Sequence, residues 1–149
     1  DIKGPVSSQN FGILKNEWEV IDFAGQSSDR NAVKYAFDAS TRTFWQSEEG
    51  EVPFHITIDL GDEYTLKEMI YTPQTYNSEG MMAGGFIEVS LDGDNWKRVE
   101  QFEFGNLIND PTPRAHKFKQ LLNARFIRVI ATDIADESKY LSIAELDFL

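Results

Sequence analysis

The sequence predicts an all-β fold, a sandwich of about eight short antiparallel strands. Apolar and polar residues alternate with a period of two in run after run, helical periodicity is scarce, and clusters of Gly, Asp, Asn, Ser and Pro separate the runs. Ala32, Tyr35 and Ala36 are spaced for one short helical turn near Asp29–Phe37. "FHITIDLG" then puts Phe54, Ile56, Ile58 and Leu60 on one strand face and His55, Thr57 and Asp59 on the other. "FIEVSLDG" aligns Ile87, Val89 and Leu91, and "EQFEF" aligns Phe102 and Phe104. "ARFIRVIA" sets Ile127, Val129 and Ala131 against Phe126, Arg128 and Ile130, so both of its faces are expected to be covered. "SIAELDFL" closes the chain with Ala144, Leu146 and Phe148 together. "DLGDEY", "LDGDNW", "NDPTPR" and "DIADES" read as the turns between them. Short loops of this kind favour a sandwich of sequential hairpins.

The chain of 149 residues suits one domain, read as a lead-in over residues 1–15 and a single unit over 16–149. A net charge of −11 repels phosphate backbones and anionic lipid, so nucleic acid is excluded as a partner and a membrane is disfavoured. With no Cys, disulfides, thiolate metal sites and Cys nucleophiles are ruled out. No apolar run approaches the roughly 18 residues that a membrane span requires. The chain begins at Asp1 and reads as a mature protein or as a piece of a longer one. The sequence carries no nucleophile elbow, phosphate-cradling loop or His-rich metal motif, so no catalysis is expected. His55 and His116 read as surface or strand residues, and "DGDNW" as a hairpin turn followed by a packing Trp96.

"YAFDASTRTFWQSE", Tyr35 to Glu48, does not fit a strand or a helix. It crowds oxygen-bearing side chains (Asp38, Ser40, Thr41, Thr43, Ser47) between aromatics. Phe44 and Trp45 are expected to anchor this loop in the core. Calcium takes six to eight oxygen ligands and a tight loop can aim several at one point. An Asx-type turn capped by Asp38 explains the same residues without a metal.

A resemblance bears on that choice. "AFDASTRTFWQSE", "ITIDLGDEYTLKEMIYTP", "FIEVSLDGDNWKRV", "NARFIRVIAT" and "SIAELDFL" resemble, in order from about Trp18 to Leu149, the motif blocks of the discoidin, or coagulation factor V/VIII type C, family. In bacterial glycan-degrading enzymes this family is called carbohydrate-binding module family 32. The resemblance implies a galactose-binding-domain-like jelly-roll sandwich with one structural calcium. Asp38, Thr43 and Glu145 would hold the ion by side chains. Tyr35, Ser40, Thr43 and Ala144 would hold it by backbone carbonyls. The family's Gly after the Asp is Ala39 here, so the loop is expected to avoid positive φ at that residue or to bind more weakly.

Members that bind galactose-type sugars use a His after the loop Trp, an Arg after the Tyr-x-Pro proline, an Asn beyond it, and an aromatic platform. The corresponding positions are Gln46, Gln74 and Asn77, with Tyr76 or Tyr140 as platform. Amides pair with sugar hydroxyls, and an aromatic ring covers the apolar face of a pyranose. The resemblance therefore implies a non-catalytic carbohydrate-binding module. It would bind glycans with neutral terminal sugars as a monomer and be joined to a glycoside hydrolase such as a hexosaminidase or fucosidase. The implied location is extracellular, periplasmic or on the surface of a bacterial cell. A protein-interaction or spacer domain that keeps the fold without a sugar site is the alternative. Membrane contact through Met81 and Met82 is a third reading, which the acidic charge opposes.

Overall fold

The computed structural model describes residues 12–149. Among the described residues eight strands form: β1 (Glu19–Phe23), β2 (Trp45–Gln46), β3 (Phe54–Thr72), β4 (Met82–Ser90), β5 (Lys97–Glu103), β6 (Arg114–Ile134), β7 (Ser142–Ile143) and β8 (Glu145–Phe148). The expected helical turn is present as two 3-10 turns, Asp29–Asn31 and Val33–Ala36.

Two long strands organise the molecule. The first half of β3 lies between β1 and the second half of β6, while its last residues lie between β8 and the first half of β6. β4 and β5 extend the β6 side, giving the order β1-β3-β6-β4-β5. β3 and β6 thus pass from one layer to the other, as sandwich strands do at bulged corners. The β3–β6 register shifts between Asp59 and Tyr64 and again between Leu66 and Glu68.

Those shifts correct one expectation. "DLGDEY" is not a turn between strands: β3 runs through it and bends. Gly61, at φ +85°, has the Glu17 Cβ only 2.7 Å from where its own Cβ would stand. That position takes only glycine. The shifts also reverse side-chain parity. Ile56, Ile58 and Leu60 point inward, but beyond the bend the buried residues are Leu66, Met69 and Tyr71.

The core lies between the layers. Ile56, Ile58, Ile87, Ile127 and Val129 meet Leu66, Met69, Leu122, Leu146 and Phe148 there. Trp45 is fully buried, and its Nε1 donates to the Gly25 carbonyl at 2.8 Å. Phe126, Arg128 and Ile130 are half-buried, as the two-faced pattern predicts. Leu91 departs from its predicted face: it is exposed because β4 ends at Ser90 and the hairpin begins there.

Of the segment read as a lead-in, residues 1–11 lie outside the described residues. Gly12–Lys15 belongs to the packed domain. The Ile13 amide donates to the Phe148 carbonyl at 2.9 Å, and the Lys15 side chain is buried. Met81 and Met82 are fully buried as well, so neither can reach a membrane. No helix among the described residues is long and apolar enough to cross one.

Candidate functional site

The oxygen-rich loop leads from the second 3-10 turn to β2. Asp38 Oδ1 accepts the Ser40 amide at 3.1 Å, the Asx turn that the spacing allows. Asp38 Oδ2 accepts the Thr43 hydroxyl at 2.5 Å. Glu145, on β8, meets this loop: its Oε2 accepts the Ala39 amide at 3.1 Å. Asp38, Thr43 and Glu145 thus belong to one hydrogen-bonded neighbourhood, although Glu145 lies more than 100 residues from the other two in sequence. Ala39 takes φ +62°. The loop therefore adopts the conformation that the family's glycine favours, so of the two expected outcomes the avoidance of positive φ does not occur.

Lys15 supplies what the sequence did not signal. Its Nζ contacts Glu145 Oε2 and lies 2.6 Å from Asp147 Oδ1, with all three side chains almost fully buried. Nζ also lies 5.6 Å from the Trp18 ring. One ammonium serves two carboxylates, and Glu145 Oε1 has no hydrogen-bond partner among the described residues. Burial pushes the Glu145 carboxyl up to about 8, against the opposing pull of Lys15 and of the Ala39 amide.

Among the described residues no three carboxylate, imidazole or thiol side chains converge as a metal cluster. A cation here would draw on two carboxylates and a hydroxyl, with backbone carbonyls completing a hard oxygen set. The orphaned Glu145 oxygen and the paired Asp38 and Thr43 oxygens fit such an ion.

The second group of residues lies on the adjoining rim. Trp45 faces the core, so its neighbours Phe44 and Gln46 face away from it. Phe44 is therefore not the core anchor expected for it: its ring lies 6.4 Å from Tyr76, which is 86% exposed. Gln46 is paired with Ser142 across β2 and β7. The Ser142 hydroxyl donates to the Glu79 carbonyl at 2.6 Å. The Tyr140 hydroxyl donates to the Glu79 carboxylate, and the Tyr140 ring packs on Gly80, whose φ is +72°. Burial and the carboxylates of Glu79 and Asp136 hold the Tyr140 phenol above its ordinary range.

Gln46, Tyr140 and the loop 74–80 are thus joined by contacts, with the Tyr76–Phe44 pair on the same two segments. Gln74 does not serve as the ligand residue expected of it. It is 1% exposed, its Nε2 donates to Asn77 Oδ1 and the Glu79 carbonyl, and its Oε1 accepts the Asn77 amide. It braces the loop from inside. The Asn77 Oδ1 is engaged in the same brace and also accepts the Glu79 amide. Glu79 and Phe44 were missed. Alternation about the buried Trp45 could have revealed Phe44, but nothing local marks Glu79.

The described residues thus form an antiparallel β-sandwich with the Tyr76–Phe44 pair and Tyr140 on its loop rim. The chain belongs to the F5/8 type C domain family, whose sequence model matches residues 19–146. It is 28% identical over 141 residues to galactose oxidase of Gibberella zeae, covering 91% of this chain and 20% of that protein. The chain spans about a fifth of the length of the curated relatives it matches. Among solved structures it resembles CBM32-3 from a family 31 glycoside hydrolase of Clostridium perfringens, with TM-score 0.80, 28% identity, and coverage of 90% of this chain and 91% of that one. It also shares its fold with a Clostridium perfringens module in complex with GalNAc-beta-1,3-galactose, with TM-score 0.80, 20% identity, and coverage of 91% and 96%.

Proposed function

We propose that this chain is a non-catalytic carbohydrate-binding module that holds an attached glycoside hydrolase on a glycan with neutral terminal sugars. The observation that carries this reading is the joining of Tyr140, Gln46 and the exposed Tyr76–Phe44 pair on one rim. An aromatic face covers the apolar face of a pyranose, and a free amide pairs with its hydroxyls. Relatives that are modules of glycoside hydrolases, one of them in complex with a galactose-containing disaccharide, support it. Neither a His nor an Arg stands at the two positions that serve galactose in the family, so the sugar contacts fall to Gln46, Tyr140 and Tyr76.

A shallow rim buries little area, so single-site affinity is weak and tethering to other modules compensates. The parent enzyme would be a hexosaminidase or fucosidase working outside the cytoplasm of a bacterial cell, with this module monomeric. A structural calcium, held by Asp38, Thr43 and Glu145 with the carbonyls of Tyr35, Ser40, Thr43 and Ala144, would tie the loop before β2 to β8.

The test is a glycan array in calcium buffer, followed by titration of the hits. Specific hits with galactose, N-acetylhexosamine or fucose termini are expected, and Tyr140→Ala and Gln46→Ala should each abolish binding while the variants remain folded. A blank array at high protein concentration would replace this reading with the interaction or spacer domain.

A further inference from the structure

The far end of the same strands carries a second concavity. β4 runs from Met82, beside the loops that hold Tyr140, to Ser90, about 25 Å away at the strand rise per residue. There a cleft of about 370 Å³ opens between the edge strand β5 and the first half of β6. Val99 and Leu122 line it, Leu121 stands 67% exposed beside them, and Lys97 and Lys119 flank it. A neighbouring hollow of about 340 Å³ shares Lys97 and Asn123 with it and adds Leu91.

The charge there opposes that of the whole chain. Of the two carboxylates nearest the clefts, Glu100 is turned inward, its oxygens engaged by His116 Nε2 at 2.9 Å and by the Lys119 amide at 3.0 Å. Asp92 is occupied by the amides of Asp94 and Asn95 in the hairpin turn. Arg98 is held by Glu88 and stacks on Phe86. The Lys97 and Lys119 ammonium groups have no partner among the described residues, in a chain with 25 acidic residues against 14 basic ones.

Lysines on an edge strand discourage edge-to-edge pairing, but that role needs no concave apolar floor beneath them. We infer that this cleft is a second ligand site, for an acidic saccharide such as a hexuronate unit. The carboxylate would lie between the Lys97 and Lys119 ammonium groups. The apolar ring face would rest on Val99 and Leu121, with the Asn123 amide near the hydroxyls. A volume of this size lies in the range of small-ligand clefts. The overall charge of −11 limits the acidic ligand to the few units that the cleft spans, since a longer polyanion such as nucleic acid would meet the acidic surface beyond it.

The test is amide-resolved NMR titration of the full chain with an oligogalacturonate, a neutral galacto-oligosaccharide and sodium sulfate. The oligogalacturonate should shift the amides of residues 97–100 and 119–123, at least tenfold more tightly than either control. Lys97→Glu with Lys119→Glu should remove that binding, and raised salt should weaken it. Tyr140→Ala should leave it unchanged, which separates this site from the rim at the other end. Equal binding of the neutral oligosaccharide, equal binding of sulfate, or survival of binding in the double variant would each overturn the assignment.

Discussion

Ala39 stands in the left-handed region at φ +62°, where a side chain meets its own backbone. The loop accepts this because the Ala39 amide is directed at Glu145. Ala39→Gly should relieve about 1–2 kcal/mol of strain and give back part of that as chain entropy. The expected net gain is about 0.5–1 kcal/mol, read as a rise of roughly 1–4 °C in melting midpoint. A lower midpoint would mean that the loop is not strained there. Asp59 offers a pH test. Arg125 grips both of its oxygens, at 3.0 and 3.2 Å, and the Gly61 amide adds a third bond at 2.8 Å. The Arg125 guanidinium holds the Asp59 carboxyl below its usual range, against the opposing effect of burial. A depressed folded-state value makes the stabilisation present above the unfolded value, near pH 4, and lost as pH falls through the folded one. Asp59→Asn should therefore lower stability at pH 7 by a small, solvent-screened amount, and by progressively less as pH falls below the unfolded value. A pH-independent difference would refute the ion pair.

Two single residues hold whole elements in place. The Tyr71 hydroxyl, fully buried on β3, donates to the Ser142 carbonyl of β7 and accepts the Met82 amide of β4, each at 3.0 Å. Desolvation holds this phenol well above its ordinary range, so it keeps its proton at every ordinary pH. Tyr71→Phe leaves a buried amide and a buried carbonyl unpartnered, at about 1–3 kcal/mol. The loss should appear in urea unfolding together with faster hydrogen exchange at Met82, and an unchanged Met82 rate would argue against the bridge. Lys15 ties the segment before β1 to β8. Lys15→Ala leaves Asp147 buried without a counter-charge and Glu145 without its ammonium donor, and removing one partner of a buried pair typically costs about 3–5 kcal/mol. A loss under 1 kcal/mol would show the triad to be dispensable. The strands were legible wherever alternation ran unbroken, as in Phe54–Leu60 and Ile127–Ala131. They were hidden where a bulge reversed the parity, as between Leu66 and Met69, so the second half of β3 and the first half of β6 carry no clean period-two signal.

For the molecule as a whole, the loop before β2 and the last strand form one closure, and a bound ion would add its binding energy to folding. At a calcium concentration about 100 times its Kd, the gain is about 2.7 kcal/mol, or roughly 5–10 °C in melting midpoint for a domain of this size. Asp38→Ala should remove the difference between calcium and chelator. No such difference in the parent chain would dismiss the calcium reading. The sequence by itself determined the all-β class, most of the core faces, the hairpin at "LDGDNW" and the oxygen-rich loop, because these follow from side-chain period and turn chemistry within a few residues of each other. It also offered Gln46, inside a motif block, and Tyr140, in the loop before the last strands, as candidate ligand residues. Only the tertiary structure decided that Gln74 is an internal brace, that Phe44 faces Tyr76, that Glu79 joins Tyr140, and that Lys15 reaches Glu145 across 130 residues. Each depends on which distant segments the folded strands bring together and on whether burial leaves an amide free for a ligand, and local sequence spacing encodes neither.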